Sequence, residues 1–312
     1  MPSSVRRPSN SAARRHFDQA IEDLRWAWEH FRDDPLARDI CWRFPVAADA
    51  VCHELAGGFG GSPIPRALLT QMCERGIEAA QLLGDNRLRD DIQCALASRA
   101  GALKLEVGDA AQAARFLAFA LSLAQDLRNE KLLGRILAAQ AEMHLIQQDW
   151  QAAKTAFLRS ADLAQKTDDT PGAAVAVFGL GKACRVMGER LEAAEWLRNA
   201  LQQSRDLALP DLESKVIQEL GVLWMSLGEY AAAIRCYEEA ILGAADALAR
   251  GQARLALGEA YLAAGSISRA GQLFQEAESD ARLSGDRITL DRVLSRRDEI
   301  RAEGTSAGRT DR

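Results

Sequence analysis

LGVLWMSLGEYAAAIRCYEEA, residues 220–240, and LGEAYLAAGSISRAGQLFQEA, residues 257–277, decide the reading of this 312-residue chain. Each opens on Leu-Gly, places an aromatic residue one turn later (Trp224, Tyr261) and reaches a second glycine, Gly228 or Gly265. Each closes on a small–bulky–small series: Ala233, Tyr237 and Ala240 in the first, Ala270, Phe274 and Ala277 in the second. Toward the N-terminus the leading small residue recurs in steps of 40 as Gly181, Ala141 and Gly101, while Gly258 follows Gly221 by 37. The other columns keep these intervals through Ala113, Ala153 and Ala193, through Leu117, Phe157 and Leu197, and through Ala120, Ser160 and Ala200. Four columns with shared intervals mark an internal repeat, which settles the architecture before any local reading.

Small residues seven apart, with a large one four after the first, share one face of a helix. A small residue in the preceding helix lets that face approach closely. Gly108, Gly188, Gly228 and Gly265 fall between the two helices, where a residue free to take positive φ ends the first. The expected fold is all-α: a right-handed α-solenoid of helix-turn-helix repeats with roughly 14 helices.

The pattern resembles the tetratricopeptide repeat, most specifically in Leu220-Gly221, Trp224, Gly228, Tyr230, Ala233, Tyr237 and Ala240 and in the unit that follows. The resemblance covers five units, roughly residues 91–283. It is weaker in the first three, where Lys104, His144 and Cys184 stand at an aromatic position and Ala141 replaces glycine. The unit exceeds the usual length of about 34 residues by about six. The resemblance implies a partner-binding array whose first helices line a concave groove.

Composition fits that class. Apolar residues make up 48% of the chain and aromatics 6%, with only 8 prolines, so strong helix formers dominate. A net charge of −5 argues against a nucleic-acid partner, which calls for a basic stripe. No apolar run is long enough to span a membrane. Cys41, Cys52, Cys73, Cys94, Cys184 and Cys236 lack any CxxC spacing and read as free thiols in helix faces, consistent with a reducing cytoplasm.

The domain plan follows: a disordered basic arm over 1–15, a helical segment with a degenerate repeat over 16–90, five repeats over 91–285, a capping helix over 286–303 and a disordered tail over 304–312. In the second segment, helices are expected over 16–31, 37–56 and 65–83, with the loop GGFGGSPIP at 57–65. Asp85, Asn129, Asp168-Asp169, Asp211 and Asp286 are placed to N-cap successive helices. Glu22-Asp23-Leu24-Arg25-Trp26-Ala27-Trp28, followed by a degenerate pair ending in Leu82-Leu83-Gly84-Asp85, resembles the entry to the sensor arrays of bacterial signal-transduction ATPases with numerous domains and related transcription activators. That resemblance implies a sensor controlling a nucleotide-binding switch, although this chain carries no nucleotide-binding domain.

Motifs for chemistry are weak. Gly179-Leu180-Gly181-Lys182 looks like a fragment of a phosphate loop, but Ala183 stands where Ser or Thr is needed and no strand precedes it. His16, His30, His53 and His144 share no metal-ligand spacing. No catalytic residue, metal or cofactor is assigned, and an enzyme is not expected. Trp150, Trp196 and Trp224 read as core; Trp26 and Trp28, two apart, face different sides of a helix, so one is open to docking or self-association.

The groove is the best candidate site. Counting from the glycine column selects Arg135, Glu142, Phe178, Lys182, Arg185, Lys215, Gln218, Gln252 and Glu259. Arg135, Lys182, Arg185 and Lys215 form a basic group suited to a carboxylate, an acidic peptide or a phosphate, with Phe178 offering apolar contact. The competing reading is a solvated surface paired with Glu142 and Glu219. The family's clamp for chaperone C-termini is not reproduced, since Ser98 and Ala102 occupy its positions. The expected function is a cytoplasmic, non-catalytic adaptor or sensor for a protein or peptide. Two alternatives stand beside it: a regulatory module acting on a signalling ATPase or transcription regulator, and a small-ligand or enzymatic role in the groove.

Overall fold

The 40-residue period has a simple structural origin. From residue 130 to 226, five successive helices each run 17 residues and are separated by three-residue turns, so two helices and two turns make one repeat. The computed structural model describes Glu22, residues 26–30, Arg43, 66–244 and 247–310, apart from the side chains of residues 66, 67, 106 and 301–310. Among the described residues there are helices and turns and no strand. No helix among them is long and apolar enough to cross a membrane.

The described chain falls into two compact units, divided between Gln147 and Gln148. The first holds α1 (Arg66–Ala80), α2 (Asn86–Val107), α3 (Ala110–Asp126) and α4 (Glu130–Ile146). Consecutive helices pack on each other, and α2 also touches α4. Trp28 is fully buried with Leu69, Met72, Leu96 and Leu103. Trp26 lies 57% exposed and stacks on His30 at 4.1 Å, so the two tryptophans do face opposite ways.

The second unit holds α5 (Trp150–Lys166), α6 (Thr170–Val186), α7 (Arg190–Asp206), α8 (Pro210–Ser226), α9 (Tyr230–Leu242), α10 (Ala247–Ala263), α11 (Ile267–Ser284) and α12 (Arg287–Thr310). Each helix packs on the next, while the first helices adjoin directly, α6 on α8 and α10 on α12. The glycine column explains the close pairing. A Cβ at Gly181 would come within 2.7 Å of Leu197, at Gly221 within 2.5 Å of Tyr237 and at Gly258 within 2.6 Å of Phe274. The bulky residues that fill these approaches are buried, each contributing about 1.5–3 kcal/mol of transfer free energy. Trp196 and Trp224 are half-buried against the same core.

Gly108, Gly188, Gly228 and Gly265 take positive φ between the paired helices, as their spacing predicts. Gln148 takes the same conformation in the turn that has no glycine, and Arg128, Asp168 and Ala208 do so between repeats. The caps are mixed. The side chains of Asp85, Asn129 and Asp286 accept from the backbone of the helices they precede. Asp169 makes no such bond, and Asp211 lies inside the first turn of α8 behind the N-capping Leu209 and Pro210. There its charge complements the helix dipole instead.

Cys73, Cys94 and Cys184 are buried free thiols and Cys236 is half-buried. Burial pushes the Cys94 thiol up to about 11. In α12, Val293 is fully buried against α10 and α11, while Ile288, Asp291, Arg292, Leu294, Ser295 and Asp298 are exposed. The helix continues to Thr310, through residues 304–310 where a disordered tail was expected. The basic arm over 1–15, most of the 37–56 helix, Trp42, Cys41, Cys52 and the loop around Phe59 lie outside the described residues.

Candidate partner-binding face

A helix turns about 100° per residue. Positions six and three before each column glycine, and one and four after it, therefore share a stripe of about 80° beside the face that packs on the second helix. All nine candidate residues come from these positions.

In the first unit, Arg135 is exposed and Glu142 half-buried on α4. In the second, α6 carries Val175, Phe178, Lys182 and Arg185 on the stripe, and α8 carries Lys215, Gln218, Val222 and Met225. Phe178 does not offer apolar contact to a partner: it is 7% exposed and belongs to the core with Leu212 and Val216. The Lys182 ammonium lies 5.5 Å from its ring centroid, above it. Arg185 donates through Nε to Glu219 of the next first helix at 2.8 Å. The basic group is thus partly answered within the fold, as the surface reading anticipated for Glu219. Lys215 is exposed. The Gln218 amide reaches Ser214 Oγ at 3.5 Å, and the Gln252 amide donates to Asp286 Oδ2 at 3.2 Å.

Glu259 accepts from two arginines that sequence reasoning left out. Arg292 Nη2 lies 3.1 and 3.3 Å from its two oxygens, and Arg296 Nε lies 3.3 Å from Oε1. A signal for them existed. The column glycine stands eleven residues into α6, α8 and α10; counted alike from Arg287, Arg292 occupies the position of Lys215 and Arg296 that of Glu219. The last helix therefore extends the first-helix stripe through Arg292, with Arg296 just beyond its edge. Val175 (44% exposed) and Val222 (39%) are its other missed members, exposed apolar side chains among the cations. Below the stripe, burial raises the Tyr237 hydroxyl pKa, and the nearby Glu259 and Glu219 carboxylates add to the effect.

A second cluster joins the repeats on another side. Lys154 of α5 donates to Glu189 at 2.7 Å and to Glu192 at 3.1 Å. The ligand atoms of Cys184, Glu189 and Glu192 lie within 4.8 Å of one another, a spacing open to a metal ion. One fact favours an ion pair instead: the Lys154 ammonium already serves both carboxylates. Burial pushes the Cys184 thiol beside them up to about 12. The Glu192 carboxyl is held below its usual range, first by the Trp196 indole N–H and then by Lys154. A depressed carboxyl stabilises the fold above its ordinary value, and that contribution is lost as the pH falls through the folded value. We expect Lys154→Met to cost about 1 kcal/mol at neutral pH. The gap from wild type should close as the pH falls from about 7 to about 3, measured by urea unfolding followed by circular dichroism. An unchanged gap at acid pH would show that packing of the lysine stem, not its charge, is responsible.

No known protein-family model matches the chain, and no curated protein matches it in sequence. Solved structures do match. The apo form of RapI superposes with a TM-score of 0.62 at 9% identity, covering 86% of this chain and 93% of that one. A Rap protein complexed with Competence and Sporulation Factor matches at 0.55 and 13% identity, over 76% of this chain and 70% of that one. A signal transduction ATPase with numerous domains from Pyrococcus horikoshii, which carries a tetratricopeptide repeat sensor, matches at 0.52 and 14% identity. That match covers 97% of this chain and 49% of the ATPase, so the chain spans about half its length. At these identities the likeness is one of fold, and the fold is that of the tetratricopeptide-repeat proteins.

Proposed function

We propose that the chain is a non-catalytic adaptor or sensor that binds a protein or peptide on the stripe formed by its first helices. The observation that carries this reading is the stripe's composition in the second unit. Val175 and Val222 remain exposed beside Lys182 and Lys215, although Phe178 of the same stripe sinks into the core. Exposed apolar side chains among fixed charges suit an extended chain, whose side chains take the apolar contacts and whose polar groups take the charged ones. The complex of a Rap protein with Competence and Sporulation Factor supports the same use of a related fold.

The test replaces Val222 by Trp, which fills the stripe without touching the column glycine. Affinity capture from native extract, then calorimetry with the purified partner, should give at least about tenfold weaker binding to Val222→Trp with helicity unchanged. Equal binding would place the contact elsewhere, first of all at exposed Trp26. A regulatory reading is favoured by one specific finding, the match of 97% of this chain to about half of an ATPase that carries a tetratricopeptide repeat sensor. On that reading the captured partner is a nucleotide-binding switch protein or a transcription regulator.

A further inference from the structure

Two arginine pairs near the end of the second unit contrast. Arg250 and Arg254 close on Asp280, whose side chain is only 7% exposed, at 2.9 and 2.5 Å. These are short, charge-assisted and sheltered bonds, and they are committed to the fold. Arg292 and Arg296 are different. Their side chains are 59% and 43% exposed, and every contact with Glu259 is 3.1 Å or longer. Arg292 engages it through a single nitrogen, Nη2. Exposed pairs of this kind contribute about 0–1 kcal/mol, and salt screens them. Arg296 also holds the exposed Glu299 of its own helix through Nη1 at 2.9 Å and turns only Nε toward Glu259. Contacts to Glu259 held so loosely exchange that carboxylate at little cost.

We infer that Arg292 and Arg296 form a carboxylate-binding position for an acidic peptide segment, and that Glu259 holds this position in the absence of the partner. The proposal rests on the stripe being the binding face and adds the chemistry of what binds. The two arginines are one helical turn apart on α12, so their guanidinium groups converge on one carboxylate, as they do on Glu259. Bidentate guanidinium–carboxylate pairing is stronger and more directional than the present single-nitrogen contact. The stripe's charge favours the same occupant. Glu219 is engaged by Arg185 and Glu259 by the arginine pair, while Lys215 stands exposed on α8 at the register of Arg292. An anionic segment is thus attracted along the stripe although the whole chain is acidic.

Three variants of the full chain separate the outcomes, read by fluorescence anisotropy with a labelled oligoglutamate peptide at low ionic strength. Wild type should bind saturably, more weakly as salt rises, and a labelled oligoglutamine should not bind. Arg292→Gln with Arg296→Gln keeps hydrogen-bond donors near Glu259 and should lose at least about tenfold in affinity. Arg159→Glu with Arg235→Glu, exposed on second helices, should bind as wild type does. Glu259→Gln removes the internal competitor and should bind at least about threefold more tightly, a gain that a purely structural Glu259 does not predict. Absence of oligoglutamate binding, an unchanged affinity in the double Gln variant, or weaker binding by Glu259→Gln would each overturn the proposal. Single-stranded oligothymidylate binding more tightly than oligoglutamate would also overturn it, by pointing to nucleic acid. The broader reading has its own control: if the captured partner is lost with Val222→Trp but kept by the double Gln variant, the face is right and the acidic partner is wrong.

Discussion

Gly179→Ala is expected to destabilise the protein by about 2 kcal/mol, although alanine is the better helix former by about 1 kcal/mol. The reason is a contact with no room in it. A Cβ at Gly179 would fall 2.1 Å from Cε1 and 2.3 Å from Cζ of Phe157, whose ring is fully buried. Overpacking of this kind costs about 1–3 kcal/mol, and more where the neighbour is enclosed. Gly179→Leu adds a branched side chain to the same space and should abolish cooperative unfolding of the second unit. Phe157→Leu supplies the check, because it removes the ring atoms that meet the new Cβ. Alone it should cost about 1–2 kcal/mol; combined with Gly179→Ala it should cost less, with a coupling of about 1–2 kcal/mol in the double-mutant cycle. Urea unfolding followed by circular dichroism measures all four species. If Gly179→Ala is as stable as wild type, close approach of α5 and α6 is not what the glycine provides.

Gly179 also shows where sequence reading reaches and where it stops. Gly181 is in a 40-residue column and was legible as a packing position, because every repeat sets its first helix against its second in the same way. Gly179 belongs to no column; two residues from Gly181, it faces the opposite side of α6 and admits the preceding helix instead. The Gly-Leu-Gly that resembles a phosphate loop is two opposed helix contacts. The turns divide similarly: four glycines announced positive φ, whereas Arg128, Gln148, Asp168 and Ala208 adopt it with no residue type to reveal it. In the candidate site, register was enough to select the stripe, since helical phase follows from counting. Depth was not, because the sinking of Phe178 depends on how far α8 leans over α6. Nor were the pairings. Arg185 with Glu219, and Glu259 with Arg292 and Arg296, span 34, 33 and 37 residues, and the rotation between neighbouring helices decides which charges meet.

Asp280→Ala should be the most damaging charge deletion in the second unit, at about 3 kcal/mol. Its carboxylate accepts from Arg250 Nε and Nη2 at 3.1 and 2.9 Å and from Arg254 Nη1 at 2.5 Å, tying α11 to α10. The helices meet closely here, since a Cβ at Gly251 would lie 3.1 Å from Asp280 Cβ. Removing one member of a buried ion cluster leaves the others desolvated without a counter-charge, which costs about 3–5 kcal/mol when all are buried. Arg254 keeps Glu276 at 3.1 Å, and Arg250 and Arg254 are 34% and 24% exposed, so that carboxylate and water recover part of the loss and the low end applies. Asp280→Asn keeps shape and one acceptor and should cost about half as much. Asp280→Leu with Arg250→Met and Arg254→Met removes the charges together and should recover most of the loss, because a sheltered ion cluster contributes less net stability than its deletion suggests. Salt discriminates between the explanations. A screened surface pair loses its effect at high ionic strength, whereas the Asp280→Ala deficit should persist in about 1 M salt. If the deficit vanishes there, the cluster is surface electrostatics, and the junction of α10 and α11 rests on the close approaches at Gly251 and Gly258 and on apolar contacts such as those of Leu255, Leu257, Leu273 and Phe274.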